Sequence, residues 1–144
     1  MRYLLAAINA KYIHSNLGIY SLRRYAMERL GLGFSTEKEA VGMEMALEAA
    51  GGADWEKIKS EIQIDLGEYT INHQMDQILQ DIYRRKPDVV GFSCYIWNIV
   101  YVKELIHDLK KVLPQVRIWL GGPEASYDAV HLMDELPEVE LIMQ

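Results

Sequence analysis

Small and polar residues follow two apolar runs of the chain and could contact a ligand. Ser93 comes directly after the run at residues 89–92. The run at residues 116–120 ends in Gly121 and Gly122. A serine hydroxyl can donate a hydrogen bond, and a glycine lets a bulky group approach the backbone. Because ligands of open α/β sheets bind outside the carboxyl ends of the strands, these segments predict a ligand site at one sheet edge.

The hydrophobic pattern predicts the parallel sheet that would bring these residues together. Short apolar runs alternate with segments of helical spacing, which is typical of repeated β–α units. The predicted strands are residues 3–8, 62–66, 89–92, 116–120 and 139–143. The second strand alternates between apolar and polar residues, as an exposed or edge strand does. The chain is therefore predicted to have an α/β fold.

Capping residues, glycines and prolines set the limits of the predicted helices. These limits are Ser15 or Asn16 to Gly31, Asn72 to Pro87, Ile99 to Pro114, and residues 127–136. The first helix is predicted to bury an apolar face, since four of its apolar residues recur at helical spacing. These are Ile19, Leu22, Ala26 and Leu30.

Residues 31–61 interrupt the β–α rhythm, because a helix-to-strand connection in such folds usually has about two to six residues. Residues 36–39 form a capping box, and residues 40–50 are rich in strong helix formers. Gly51 and Gly52 are predicted to end this helix, and Asp54 is predicted to cap one short helical turn after it. The segment is therefore predicted to be a helical insert after the first helix.

Length and composition exclude several classes of protein. The 144 residues, half of them apolar, suffice for one domain. The net charge of −6 argues against binding to nucleic acid or to an anionic membrane. The single cysteine, Cys94, excludes a disulfide framework, a four-thiolate zinc site and an iron–sulfur cluster built from this chain alone. Without a signal peptide or a run of ~20 apolar residues, the chain is expected to be cytoplasmic.

The titratable residues predict no catalytic centre. Three histidines are expected at the surface without a second metal ligand at suitable spacing: His73, His107 and His131. Glu124 and Asp128 lie near the predicted ligand edge, where an acidic residue usually stabilises a helix N-terminus. Cys94, at a strand end, is expected to be a small buried apolar residue.

Other ligands of the same architecture fit the residues less well. A phosphoacceptor domain would need acidic residues where the chain has Asn9 and Ser93. A dinucleotide site would need a glycine-rich turn after the first strand, but Gly31 and Gly33 follow the first helix. The loop at residues 9–15 only partly suits a flavin phosphate. A rival of another class is a docking module without cofactor, which would bury aromatic residues against a partner: Tyr95, Trp97 and Trp119.

Four blocks of the sequence together resemble the N-terminal cobalamin-binding domain of bacterial radical S-adenosylmethionine (SAM) proteins. The blocks are residues 8–17, 68–72, 87–98 and 120–124. They occur in order, each at a strand end or the start of the following helix. The resemblance covers nearly the whole chain apart from the insert, and a coincidence of four blocks is more specific than any one of them.

The resemblance implies a flavodoxin-like or Rossmann-like three-layer sandwich with a five-stranded parallel sheet in the order 2-1-3-4-5. The corrin ring would lie at the carboxyl edge, with the nucleotide tail threaded into the sheet. Residues 1–144 would form a single domain, followed in the parent protein by a radical-SAM domain with SAM and a [4Fe-4S] cluster. The cluster's Cys-x-x-x-Cys-x-x-Cys motif is missing here, so the sequence is expected to be a piece of a longer protein.

The resemblance also implies the residues that contact cobalamin. Ser93, together with Tyr95, and the pair Gly121 and Gly122 map to positions that contact the tail. The remaining implied positions are Asn9, His14, Ser15, Gly18, Pro123 and Glu124.

The first loop departs from the pattern Asp-x-His-x-x-Gly, whose histidine binds cobalt. His14 lies four residues before Gly18, and Tyr12 stands in place of the acidic residue. A carboxylate would orient the imidazole, and Tyr12 cannot. Cobalt is therefore expected without a protein imidazole below it, although His14 could cap the helix or line the ligand's lower face.

The implied activity belongs to the full-length protein. Its corrin would carry a methyl group or assist radical chemistry, as in methyltransferases or in relatives of the magnesium-protoporphyrin monomethyl ester cyclase. The isolated chain is expected to turn over no substrate.

Overall fold

The computed structural model describes residues 1–10, 15–32 and 52–144. The strands are β1 (Arg2–Asn9), β2 (Gln63–Thr70), β3 (Val89–Ser93), β4 (Arg117–Gly121) and β5 (Val139–Ile142). The helices are α1 (Leu17–Arg29), α2 (Gly52–Glu61), α3 (Met75–Arg85), α4 (Ile99–Val112), α5 (Pro123–Tyr127) and α6 (Ala129–Glu135). The predicted capping box at residues 36–39, the predicted helix at residues 40–50 and His14 lie outside the described residues.

The five strands form one parallel sheet in the order β2-β1-β3-β4-β5. This order confirms the expected flavodoxin-like architecture and places β2 at an edge, as its alternating pattern predicted. The central strands are buried on both sides, which explains why β1 and β3 are continuous apolar runs in the sequence. None of the described helices is long and apolar enough to cross a membrane.

The larger core lies on one face of the sheet, beneath α3, α4 and α6. It is formed by Val90 and Phe92 of β3, by residues of the neighbouring strands, and by the buried faces of the three helices. The helix residues in this core are Ile78, Ile82, Val102, Leu105, Ile106, Leu109 and Leu132, together with Ala125 of α5. The spacing of three and four residues places the members of α3 and α4 on one side of each helix.

The opposite face carries a smaller core. Here Leu5 and Ala7 of β1 pack with Ile19 of α1 and with two residues of β2, Ile64 and Leu66. Of the four residues predicted to form the buried face of α1, only Ile19 is buried, and Leu22 is 37% exposed. The reason is that α1 packs against β1 and β2, while Leu22 borders an open groove above β3.

Two predicted boundaries were wrong because tertiary pairing and local capping differ from the sequence signal. Strand β2 continues to Thr70, since residues 67–70 pair in parallel with residues 6–9 of β1. Helix α3 begins after Gln74, whose backbone N–H donates to the side chain of Gln77 at 3.2 Å. Asn72, the predicted cap, lies in the turn before it.

The structure also adds one short helix and extends another. The predicted helix at residues 127–136 corresponds to α6, and a separate short helix, α5, precedes it and ends at Asp128. Asp128 has φ −139° and cannot continue a helix, and its carboxylate accepts the His131 backbone N–H at 3.4 Å. Asp54 lies within α2, so the predicted single turn is a helix of ten residues.

Candidate functional site

Small residues cover the α1 side of the sheet at its carboxyl end. The strand register aligns Leu5 of β1 with Gly91 of β3, and one pleat later it aligns Ala7 with Ser93 and Gly121. On the opposite face, the neighbouring positions of β3 carry Val90 and Phe92, which fill the larger core. Near its carboxyl end, the sheet therefore carries large apolar side chains on one face and mostly small side chains or none on the other.

A groove of about 200 Å³ lies over this part of the sheet. Residues from the sheet, from α1 and from the chain after β5 form its walls: Leu5, Gly18, Ile19, Leu22, Gly91, Phe92, Ser93, Tyr95, Gly121, Gly122 and Met143. Most of this lining is apolar side chain or glycine backbone. The groove is therefore suited to a flat, mainly apolar group that forms few hydrogen bonds.

The groove opens at the carboxyl edge into a wider cavity of about 530 Å³. The described residues that line this mouth are Asn9, Ala10, Ser15, Asn16, Leu17, Gly18, Tyr95 and Trp97. Gly18 and Tyr95 line both the groove and its mouth, so the two spaces are adjacent. A ligand with a large head and a narrow tail fits this shape.

The glycines of the groove have different reasons to be glycine. A Cβ on Gly91 would come 3.2 Å from Leu5 Cδ2, and one on Gly121 would come 3.2 Å from Met143 Cε. Both neighbours are tips of flexible side chains. Gly122 has φ +95°, and a Cβ there would lie 2.6 Å from the Cys94 carbonyl oxygen. Gly122 is therefore required by the turn itself, whereas Gly91 and Gly121 keep the groove open.

Asn98 holds the exits of β1 and β3 together. Its side chain is buried, and its Nδ2 donates to the carbonyl oxygens of Ile8 and Ser93 at 3.0 Å each. Its Oδ1 accepts the Tyr95 backbone N–H at 2.8 Å. The three contacts reach backbone groups at the ends of β1 and β3 and in the loop that follows β3. Asn98 therefore determines the path of the loop that carries Tyr95 into the site.

The carboxylate of Glu68, in β2, forms hydrogen bonds with the start of α1. Its Oε1 accepts the Asn16 backbone N–H at 2.9 Å, and its Oε2 accepts the Tyr20 hydroxyl at 2.7 Å. The hydrogen bond to this carboxylate raises the pKa of Tyr20. The Asn9 side chain donates to the same carboxylate at 3.5 Å. This network orders residues at the mouth of the groove, which Asn9 and Asn16 line.

Tyr95 and Trp97 form an aromatic pair at the mouth. Their rings are stacked with centroids 4.5 Å apart and planes 9° from parallel. Trp97 is 52% exposed, so one part of its ring system faces solvent at the cavity. Trp119, the third aromatic residue of the docking hypothesis, lies in β4, where its ring packs near Tyr3 at 5.7 Å.

The structure brings together most residues that the sequence singled out. Seven of them line the groove or its mouth: Asn9, Ser15, Gly18, Ser93, Tyr95, Gly121 and Gly122. Pro123 and Glu124 instead form the first turn of α5, where the Glu124 backbone N–H donates to the Cys94 carbonyl at 3.2 Å. His14 lies outside the described residues.

Among the contributors to this site that sequence reasoning missed are Gly91, Leu22 and Glu68. Gly91 could have been predicted from the sequence, because a glycine inside a buried strand often marks the close approach of another group. Leu22 was assigned to a buried helix face, and Glu68 was read only as part of a family block. Their roles depend on which strand lies beneath α1, and a single sequence does not reveal that.

The histidines and carboxylates of the described residues form no cluster that could hold a metal ion. His107 and His131 are exposed, as predicted. His73 differs from the prediction because it is half-buried and precedes α3. Its Nδ1 lies 2.9 Å from the Thr70 backbone nitrogen, which donates to it. His73 therefore stabilises the turn after β2.

Cys94 is fully buried, as the sequence predicted, and its burial raises the pKa of the thiol to about 12. An ordinary thiol with a pKa of about 8.5 is half thiolate at pH 8.5. We expect iodoacetamide to modify Cys94 at pH 8.5 at least about 100-fold more slowly in the folded chain than in urea, because only the thiolate reacts.

The raised pKa also affects stability at alkaline pH. The unfolded chain loses the thiol proton above about pH 8.5, while the folded chain retains it. The contribution of Cys94 to the free energy of unfolding is therefore present below that pH and decreases as the pH rises. Equal alkylation rates in the folded and unfolded chains would show that the thiol is accessible.

Comparison with known protein families agrees with this geometry. The family model described as "B12 binding domain" matches residues 3–143, which is nearly the entire chain. Among curated proteins, none matches the chain significantly. The parallel sheet in the order β2-β1-β3-β4-β5 is the α/β fold of this family. The chain belongs to the B12-binding domain family.

Proposed function

We propose that this chain binds cobalamin with the corrin ring at the carboxyl edge and the nucleotide tail in the groove between α1 and β3. One observation carries the proposal: the part of the sheet that lines the groove has no side chain at Gly91 and Gly121. Side chains at these positions would occupy the space that the tail needs. Family membership supports cobalamin as the ligand.

The residues present fit the two parts of cobalamin. The narrow groove, lined mainly by apolar groups and glycines, suits a flat aromatic base, and the Ser93 hydroxyl offers it one hydrogen-bond partner. The wider mouth suits the corrin ring, with Tyr95, Trp97 and Leu17 as apolar contacts. Asn9 and Ser15 offer polar groups there for the corrin amides.

When bound, cobalamin supplies a cobalt centre that carries a methyl group or assists radical chemistry. The chain's own residues bind and orient the cofactor, since none of the described residues that line the groove is a carboxylate, a histidine, a lysine or an arginine. We propose that no imidazole of this chain binds the cobalt. A visible spectrum of the bound cofactor that is unchanged in His14→Ala would agree with this.

We propose further that the chain is the cofactor-binding part of a radical-SAM protein. The four sequence blocks support this, because they resemble the cobalamin domains of that class. In such a protein, SAM and a [4Fe-4S] cluster would be held by a separate domain. Methyl transfer or cyclisation would belong to the whole protein.

The test is a titration of the purified chain with hydroxocobalamin, followed by the visible corrin spectrum. A parallel titration uses dicyanocobinamide, which has the corrin ring but lacks the nucleotide tail. We expect saturable binding of hydroxocobalamin and at least about tenfold weaker binding of cobinamide, because the tail fills the groove only in cobalamin.

The two ligands separate the possible outcomes. Equal affinities would show that the tail contributes nothing and would contradict its placement in the groove. Failure of both ligands to bind, in this chain and in the full-length protein, would contradict the cofactor function. The docking module without cofactor would then be the better explanation for the exposed Trp97.

A further inference from the structure

Asn16 connects the start of α1 to the groove. Its Oδ1 accepts the Ile19 backbone N–H at 3.4 Å and thereby caps the helix. Its Nδ2 donates to the Ser93 hydroxyl oxygen at 3.3 Å. Because the helix cap requires the oxygen on one side, the amide N–H group must point toward Ser93.

We infer that Asn16 is a positioning residue that makes the Ser93 hydroxyl a hydrogen-bond donor toward the ligand. A hydroxyl has one hydrogen and two lone pairs. The Asn16 amide already donates to Ser93 Oγ, so the serine proton must point elsewhere. Within the described part of the chain, this hydroxyl donates to no other residue. The proton therefore remains available in the groove.

This arrangement selects one class of group, and the inference rests on the proposed binding of cobalamin. Ser93 would pair with a nitrogen or oxygen acceptor on the part of the ligand that enters the groove. A group that presents only a donor would face the serine proton without a partner. Since most of the remaining lining is apolar or glycine, the unpaired group would weaken binding.

The substitution Asn16→Asp tests the inference with little change in shape. An aspartate keeps the oxygen that caps α1 but replaces the donating N–H with a second acceptor. The Ser93 proton would then turn toward residue 16 and away from the groove. We expect hydroxocobalamin to bind about tenfold more weakly, which is the effect of one lost hydrogen bond.

Three further variants provide the controls. Ser93→Ala removes the donor and should weaken binding by a similar factor of about ten. Asn16→Ser keeps a hydroxyl that can cap α1, but the new side chain is uncharged and too short to accept the Ser93 proton. We therefore expect a smaller decrease in the affinity for hydroxocobalamin, about threefold. The double variant with Asn16→Asp and Ser93→Ala should bind as Ser93→Ala does, within about twofold. Thermal unfolding of each variant verifies the fold.

The outcomes distinguish this inference from the proposed function. If the wild-type chain binds hydroxocobalamin but Asn16→Asp weakens binding equally with and without the serine hydroxyl, Asn16 does not act through Ser93 and the inference is wrong. An Asn16→Ser loss as large as that of Asn16→Asp would likewise indicate a purely structural role. If the wild-type chain binds no cobalamin, the proposed function and the inference both fail.

Discussion

Replacing Gly91 with valine is expected to abolish cobalamin binding while the chain remains folded. Gly91 lies in β3, on the floor of a groove of only about 200 Å³. A valine side chain there would fill part of the space above the strand. We expect the affinity for hydroxocobalamin to fall at least about 100-fold, or about 2.7 kcal/mol.

The fold should tolerate this change. The new Cβ would lie 3.2 Å from Leu5 Cδ2, the tip of a flexible side chain that can move by a few tenths of an ångström. Valine also favours the extended backbone of a strand. Gly122 is a poorer choice for this experiment, because a side chain there would collide with the Cys94 carbonyl and disturb the turn.

Two variants accompany Gly91→Val in the cobalamin titration. Gly91→Ala should give an intermediate loss, because a single methyl group obstructs less of the groove. Val112→Phe enlarges an exposed apolar residue at the opposite, amino edge of the sheet and should bind as the wild-type chain does. Undiminished binding by a folded Gly91→Val variant would exclude the groove as the site of the tail.

Replacing Asn98 with aspartate is expected to destabilise the chain strongly. The Asn98 side chain is buried, and its Nδ2 donates to the carbonyl oxygens of Ile8 and Ser93. Aspartate has the same shape but would direct a carboxylate oxygen at those two acceptors. Two hydrogen bonds would be lost and a buried charge would face negative dipoles, so we expect a loss of about 3 kcal/mol or more.

Thermal unfolding at pH 7 measures this effect, which should lower Tm by roughly 10 °C for a chain of this size. The deficit should shrink as the pH falls, because burial raises the pKa of the new carboxyl group and the folded state then binds the proton more tightly. Asn72→Asp, in the exposed turn before α3, is the matched control and should change the free energy of unfolding by less than about 0.5 kcal/mol. A loss below about 1 kcal/mol for Asn98→Asp would show that its hydrogen bonds contribute little.

The strands could be predicted from the sequence because a parallel sheet buries its central strands on both faces. Continuous apolar runs therefore marked β1 and β3, a run interrupted by Arg117 marked β4, and the alternation of β2 marked its edge position. The residues at which the strands end were harder to predict, as Glu68 shows. It looks like a polar residue beyond a strand, yet it belongs to β2 because β1 continues beside it and supplies backbone partners.

The sequence by itself determined the fold class, the edge of the sheet that bears the candidate site, and the residues at the two strand exits. These properties follow from local patterns: the hydrophobic period, helix stops, and small residues placed after apolar runs. Only the tertiary structure decided that Gly91 and Leu22 face one groove and that Asn16 reaches the Ser93 hydroxyl. Residues 16 and 93 are far apart along the chain, and the register of β1 with β3 and the position of α1 bring them into contact. Such a contact depends on the packing of whole elements, and the residue types at the two positions do not specify it.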